Sequence, residues 1–247
     1  MIAERGPFPY GSELWRVRVR SRSAPRSVLG AGVLLDREHV LTCAHVAMEA
    51  PELAVDMVGL DAVPSSAAHI VAGACVPPSA DERRGDVTLL RLSEPQPNGI
   101  GAKLRRVALT WDRPVHALGY PDGLDVGVWA RITLAGRAGV EWLQMNQRSQ
   151  GEQRVRAGFS GAGVADDRTG DVLGIVVSEY TDADAGLSWM LPVGAIVAHL
   201  PEVSRWVVGD GGIDPGFDGP VHAVDRADRT PELADWLRRR YEGAAVL

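Results

Sequence analysis

Arg156-Ala-Gly-Phe-Ser-Gly-Ala-Gly-Val164 is the stretch of sequence around which the rest of the chain can be interpreted. It places one serine, Ser160, between Gly158 and Gly161, and glycine permits backbone angles and close approaches that a Cβ atom forbids. Such a turn can expose a hydroxyl group while its own N–H groups point into the same space, as a nucleophile in acyl transfer requires. The pattern also fits an ordinary hairpin turn, so other parts of the chain must decide between the two interpretations.

A serine hydroxyl needs a base, and residues 30–46 supply a histidine in a structured context. They predict a hairpin of two short strands, followed directly by His45. Further along the chain, Asp86 opens the predicted strand 87–92. Taken alone, a histidine is usually a surface or core residue, and an aspartate before a strand is usually a turn former. Together, in the order His, Asp, Ser and with glycines around the serine, the three residues are hard to explain by chance.

Three short motifs resemble those of the chymotrypsin/trypsin-like serine peptidases. Leu41-Thr-Cys-Ala-His45 is similar to the histidine motif of that family, Gly85-Asp-Val-Thr-Leu-Leu-Arg-Leu92 to its aspartate motif, and Gly158-Phe-Ser-Gly-Ala-Gly-Val164 to its nucleophile motif. The chain order His, Asp, Ser is that of this family and not that of subtilisins or α/β-hydrolases. The short spacings resemble those of compact intracellular bacterial members, including the domains attached to signalling or defence modules.

The resemblance implies an all-β fold of two six-stranded antiparallel β-barrels, with a short C-terminal helix and a helical tail. The expected peptidase domain covers residues 1–205, with one barrel at about 10–100 and the other at about 104–200. Short strands separated by turn signals agree with this architecture. Residues 15–20 alternate apolar and basic residues, which predicts a half-buried strand with its arginines in water, and the second half is expected to open with a strand at 105–110. Apolar residues at helical spacing predict the short helix at 192–200. Residues 206–247 are interpreted as a linker and an amphipathic helix.

The same resemblance assigns catalytic roles to individual residues. Ser160 would be the nucleophile, His45 the general base, and Asp86 the group that orients the imidazole. The backbone N–H groups of Gly158 and Ser160 would form the oxyanion hole. This chemistry needs no cofactor and no metal, and the chain lacks a Cys/His set with zinc-ligand spacing.

Two positions depart from the trypsin pattern. Phe159 stands where animal trypsins have the aspartate that pairs with a new N-terminus after zymogen cleavage. Arg154 stands at the expected base of the primary specificity pocket, where it would favour an acidic side chain or, alternatively, point to solvent. Four residues form the expected pocket: Arg154, Val177, Ser178 and Glu179. A preference for Lys or Arg at the cleaved position is therefore not expected.

Composition limits the partners and the compartment. A net charge of −6 argues against a nucleic-acid surface, because binding phosphates needs a concentrated basic face. Cys43 and Cys75 are the only cysteines. We expect two free, buried thiols rather than a disulfide, since low cysteine usage favours a reducing compartment. No signal peptide or membrane span is visible in the sequence, so a cytoplasmic protein without membrane contact is expected.

The end of the chain predicts a separate helix. Thr230-Pro231-Glu232 combines an N-cap residue, a proline at the first helical position and an acid in the first turn. The apolar residues that follow share one helix face: Leu233, Trp236, Leu237 and Tyr241. This stripe packs on the body of the protein or, alternatively, docks on a regulatory protein partner.

Taken together, the sequence predicts a serine endopeptidase that acts on a protein or peptide substrate through an acyl-enzyme intermediate. The expected setting is intracellular, as an effector or processing protease of a larger bacterial signalling or defence system. The alternative is a catalytically inactive trypsin-like fold that serves as a protein-binding module, because a fold does not by itself imply an activity.

Overall fold

The structure is a computed structural model. It describes residues 13–24, 27–60, 63–79, 82–97, 100–106, 111–121, 124, 126–149, 153–179 and 187–209. The N-terminal arm and the predicted tail helix lie outside the described residues.

The first half of the chain forms a closed antiparallel barrel of six strands, in the order β1-β2-β3-β6-β5-β4. The strands are β1 (Arg16–Ser21), β2 (Val28–Leu34), β3 (His39–Thr42), β4 (Leu53–Met57), β5 (Ser66–Val76) and β6 (Val87–Leu92). Pairing of β1 with β4 closes the barrel and leaves no open sheet edge between them. The short helix α1 (Ala44–Met48) follows β3.

The second half forms another closed antiparallel barrel of six strands, in the order β10-β11-β12-β9-β8-β7. The strands are β7 (Arg113–Gly119), β8 (Val128–Ala138), β9 (Trp142–Gln147), β10 (Gly163–Asp166), β11 (Val172–Glu179) and β12 (Leu187–Pro192). Helix α2 (Val193–His199) and a 3-10 helix (Pro201–Trp206) follow. The prediction of an all-β fold with two six-stranded barrels and a short helix after the second barrel is confirmed.

The two hydrophobic cores are not divided strictly by barrel. Val17 and Leu41 of the first barrel belong to the same buried cluster as Ile175, Leu191 and Ile196, which come from β11, β12 and α2. The interior of the second barrel forms its own cluster, with Phe159 fully buried in it. Helix α2 therefore joins the two halves through apolar burial, the dominant favourable contribution to folding.

Strand β1 shows where alternation predicts a strand well and solvent exposure poorly. Val17 and Val19 are fully buried, as a period-two pattern predicts. The prediction that Arg18 and Arg20 lie in water is wrong, because their side chains are only 24% and 12% exposed. Each contacts the carboxylate of Asp56, whose strand β4 pairs with β1 as the barrel closes.

Residues 105 and 106, at the start of the strand predicted at 105–110, do not form a strand. Leu104 makes only isolated bridges, to Val172 and to Val207, and residues 107–110 lie outside the described part. The chain still contacts the peptidase domain after Trp206, because the N–H of Val208 donates to the Leu104 carbonyl oxygen at 2.8 Å. The domain boundary at residue 205 stays a prediction.

Within the described part of the chain, both α-helices fall far short of the apolar length that a bilayer crossing requires.

Candidate active site

His45 lies in the first turn of α1 and is held by a carboxylate. Its ring Nδ1 lies 2.7 Å from Oδ2 of Asp86, and its backbone N–H donates to Oδ1 of the same residue at 3.1 Å. The two side chains are 4% and 1% exposed. One carboxylate thus fixes both the main chain and the ring of the histidine. With the Nδ1 proton directed at Asp86, Nε2 is the nitrogen that can accept a proton.

The backbone on either side of Asp86 adopts an uncommon conformation. Gly85 has φ +68° and Asp86 has φ +73°, so two consecutive residues occupy the left-handed region. Glycine is required at 85, because a Cβ atom there would lie 2.6 Å from the carbonyl oxygen of Pro77. Asp86 tolerates this region better than most residues, but the conformation still costs free energy and persists because its surroundings enforce it.

The turn that carries Ser160 also depends on its glycines. Gly158 has φ +94° and Gly161 has φ +82°. A Cβ atom at Gly158 would collide with the carbonyl of Tyr120, and one at Gly161 with the carbonyl of Ala31. The pattern read from the sequence, a serine between two glycines, is therefore required by both backbone angles and close approach.

Strand β2 brings the serine turn next to the histidine helix. The carbonyl oxygen of Ser160 accepts a hydrogen bond from the N–H of Ala31 at 2.8 Å. At Gly30, a Cβ atom would lie 2.7 Å from that same oxygen and 2.8 Å from Cγ2 of Val46, the residue after His45. Ser160 therefore lies near the segment that carries His45, and His45 contacts Asp86 directly.

Some backbone N–H groups of the serine turn donate hydrogen bonds to backbone carbonyls, and others do not. The N–H of Phe159 donates to Arg156, and the N–H of Gly161 donates to Val176 at 2.8 Å. Among the described residues, no backbone carbonyl receives the N–H of Gly158 or of Ser160. These are the two N–H groups that the oxyanion-hole prediction assigns to a developing oxyanion, and that role stays a prediction.

The side chain of Phe159 points into the second barrel. It is fully buried, and its ring lies so close to Gly119 that a Cβ atom there would overlap it. The turn is therefore anchored by apolar packing at the position where animal trypsins have an aspartate.

Cys43 contributes a contact that sequence reasoning missed. Its buried thiol donates to the carbonyl oxygen of Val176 at 3.1 Å, and the N–H of Gly161 donates to the same oxygen. This carbonyl therefore ties the histidine segment to the serine turn. Potential metal-ligand atoms of Cys43, His45 and Asp86 lie within 4.8 Å of one another, but hydrogen bonds within the protein already use these groups.

Both cysteines are free thiols, as the sequence predicted. Cys75 is half-buried rather than buried, which corrects that part of the prediction, and its Sγ lies 3.8 Å from Sδ of Met48. Burial raises the pKa of the Cys75 thiol, a hydrogen bond with Thr88 opposes this, and the negative charge of Asp86 raises it further. Cys75 therefore stays protonated and weakly nucleophilic near neutral pH.

The structure describes the side chains of two of the four residues of the predicted substrate pocket, Arg154 and Val177. Arg154 is half-buried, and its carbonyl oxygen accepts a hydrogen bond from the side chain of Gln153. Val177 is 1% exposed and packs in the core, which leaves it little surface for a substrate. The side chains of Ser178 and Glu179 lie outside the described part. The pocket stays a prediction.

The family of the chain follows from comparison with known proteins. The family model of the trypsin-like peptidase domain matches residues 30–175, more than half of the chain. The chain therefore belongs to the trypsin-like peptidase domain family. A comparison of the sequence with curated proteins finds no match.

Solved structures share the fold at low sequence identity. The active form of the Rv3671c protease from M. tuberculosis is 21% identical with a TM-score of 0.56, covering 81% of this chain and 86% of that one. The scabies mite inactivated protease paralogue S-I1 is 16% identical with a TM-score of 0.61, covering 81% and 98%. Kallikrein-related peptidase 10 is 18% identical with a TM-score of 0.61, covering 79% and 96%. Since these structures include an active protease and an inactivated one, the shared fold does not decide activity.

Proposed function

We propose that the protein is an active serine endopeptidase with Ser160 as nucleophile, His45 as general base and Asp86 as the orienting carboxylate. The observation that carries the proposal is the pair of hydrogen bonds from His45 to Asp86, at 2.7 and 3.1 Å, beside the glycine turn of Ser160. Peptidases of this family act on proteins or peptides, which gives the class of substrate.

The proposed reaction has two halves. Oγ of Ser160 attacks the scissile carbonyl carbon while Nε2 of His45 takes the hydroxyl proton, and Asp86 stabilises the imidazolium that forms. The N–H groups of Gly158 and Ser160 donate to the oxyanion, and one such donor typically contributes about 3–4 kcal/mol. His45 then protonates the leaving amine, which departs and leaves an acyl-enzyme. Water, deprotonated by His45, attacks the ester and releases the acid and the free serine.

The alternative of an inactive binding module explains fewer of the contacts. A module that only binds has no need for a carboxylate that forms hydrogen bonds with both the ring and the main chain of one histidine. It also has no need for Asp86 at φ +73°, a conformation that costs on the order of 1–3 kcal/mol for a typical non-glycine residue. Such strain is commonly retained where a site depends on it.

An active-site label tests the proposal. A fluorophosphonate probe should react covalently with the purified protein and fail with Ser160→Ala and His45→Ala. Ser204→Ala is the matched control, because Ser204 lies on the 3-10 helix and its hydroxyl only donates to Pro201 at 2.7 Å. Undiminished labelling or hydrolysis in Ser160→Ala would mean that the nucleophile lies elsewhere.

We also infer a cellular setting: a cytoplasmic effector or processing protease of a bacterial signalling or defence system, controlled by a protein partner. The low cysteine count supports a reducing compartment. The apolar stripe predicted at Leu233 and Trp236 is the proposed docking element. Replacing both residues with serine should abolish control by the partner and leave fluorophosphonate labelling of the isolated protein unchanged.

A further inference from the structure

The turn between β8 and β9 crosses to the loop that carries Asp86, here called the Asp86 loop (residues 82–86). The N–H of Val140 donates to the carbonyl oxygen of Glu82 at 3.1 Å. The N–H groups of Glu141 and Trp142 both donate to the carbonyl oxygen of Arg83 at 3.2 Å. One turn of the second barrel thus binds the backbone of a first-barrel loop at two successive residues.

The same turn also holds both polar backbone groups of Gly85. The N–H of Gly85 donates to Oε2 of Glu141 at 2.9 Å, and its carbonyl oxygen accepts from Nε1 of Trp142 at 3.3 Å. Gly85 directly precedes Asp86, and both residues have positive φ. Since this conformation persists only where the surroundings enforce it, these two side chains help to hold it, together with the carbonyl oxygen of Val76, which accepts from the Asp86 N–H at 3.0 Å.

His199 in turn fixes the carboxylate of Glu141. Its Nε2 lies 2.7 Å from Oε2, the oxygen that also accepts from Gly85. The side chains of His199 and Glu141 are 15% and 13% exposed. A shielded hydrogen bond to an ionised group is stronger and shorter than one between neutral groups. His199 is the last residue of α2, so this helix determines where the carboxylate lies.

We propose that Glu141, oriented by His199, is a positioning residue for the peptidase reaction. It holds the Gly85 peptide so that Asp86 can meet His45 with both carboxylate oxygens. Glu141 touches neither Ser160 nor His45 in the described contacts, so it acts through Asp86 and not on the substrate. This role rests on the proposed function, but its effect on the His45–Asp86 pair can be measured without turnover.

The test compares Glu141→Ala with Glu141→Gln in the full-length protein. In Glu141→Ala, loss of the oxygen that accepts from the Gly85 N–H should lower kcat on the order of ten- to hundredfold with little change in KM, because a misplaced catalytic group lowers the rate and not substrate affinity. Glutamine keeps an oxygen for the Gly85 N–H and should restore kcat to within roughly threefold of the wild type. Glu82→Ala is the matched control, since this carboxylate lies in the same loop but pairs with Arg84.

A spectroscopic readout separates positioning from general stability. The proton between Nδ1 of His45 and Asp86 should give a low-field NMR signal in the wild type, in Glu141→Gln and in Glu82→Ala. That signal should broaden or disappear in Glu141→Ala, although thermal unfolding remains cooperative. If Glu141→Ala does not fold, His199→Ala and His199→Gln serve instead. Glutamine can still donate to Oε2 and should keep the signal, whereas alanine should weaken it.

Several outcomes would overturn the proposal. Unchanged kcat and an unchanged low-field signal in Glu141→Ala, or in His199→Ala, would exclude a positioning role. If kcat fell equally in Glu141→Ala, Glu141→Gln and Glu82→Ala, in parallel with a lower Tm, Glu141 would only stabilise the fold and would not position Asp86. If the wild type neither cleaves peptides nor reacts with the probe, the proposed function fails, and the NMR comparison still decides whether Glu141 orients Asp86.

Discussion

At the scale of single residues, the serine turn depends on backbone space more than on side-chain chemistry. Gly158 combines φ +94° with direct contact to the carbonyl group of Tyr120, which precedes the tight turn after β7. The N–H of Tyr120 also donates to the carbonyl oxygen of Gly158 at 2.9 Å. Any Cβ atom at 158 must push these two segments apart and so move the N–H groups proposed to bind the oxyanion.

Gly158→Ala should therefore abolish fluorophosphonate labelling and lower the free energy of unfolding by several kcal/mol, on the order of 3 kcal/mol. The chain offers a matched control. Gly59 has φ +76°, but a Cβ atom there meets nothing within 4 Å. Gly59→Ala should cost only about 1 kcal/mol, from backbone strain alone, and leave labelling unchanged. Chemical denaturation and probe labelling measure the two effects. Full labelling of Gly158→Ala would contradict the proposed role of this turn.

The protonation state of His45 determines the pH dependence of the proposed reaction. A protonated imidazole cannot take the proton of Ser160, so activity recorded from about pH 5 to 8 should rise with pH. The sign follows directly, because acid removes the base and alkali restores it. A pH–rate profile of kcat/KM, recorded with one peptide substrate, is the measurement. A profile that is flat over this range would exclude His45 as the base.

At the scale of elements, regular patterns were predictable and long-range contacts were not. The alternation in β1 predicts a strand, and the glycines around Ser160 predict a turn that needs positive φ. The ion-pair partner of Arg18 and Arg20 could not be predicted from the local pattern, because Asp56 contacts them only through the pairing of β1 with β4.

The residues of the candidate site likewise fall into those that a local motif predicts and those that only long-range packing brings together. His45, Asp86 and Ser160 stand in short local motifs, so one sequence suffices to propose them. Glu141 and His199 stand in no motif, and their contact with Gly85 joins segments that are far apart in the chain. Cys43 offered a weak signal, because it lies two residues before His45, but its acceptor at Val176 depends on the packing of the two barrels.

At the scale of the whole molecule, each barrel supplies part of the site and the seam holds the parts together. The first barrel carries His45 and Asp86, and the second carries Ser160. Hydrogen bonds across the seam include those of Ser160 with Ala31, Cys43 with Val176, and Gly85 with Glu141 and Trp142. A rearrangement of one barrel against the other would therefore disturb the proposed nucleophile and the proposed base at once.

The requirements for activation also belong to the scale of the whole molecule. In zymogens of this family, a freed N-terminal amine pairs with an aspartate beside the nucleophile, and a buried ion pair needs both partners. Phe159 offers no carboxylate, and its ring is already packed against Gly119 in the core of the second barrel. The serine turn should therefore be competent without cleavage of the chain.

Labelling of two forms tests this account of activation: the protein beginning at Met1, and the same protein with a long extension fused ahead of it. Equal rates of fluorophosphonate labelling are expected, because nothing in the packing of Phe159 depends on a free amine. Phe159→Asp supplies the missing carboxylate and is the matched comparison. It should label poorly in both forms, since a charge buried without a partner destabilises the turn by several kcal/mol, roughly 3–5 kcal/mol. Labelling of the extended form only after its N-terminus is trimmed would show that an amine is needed after all.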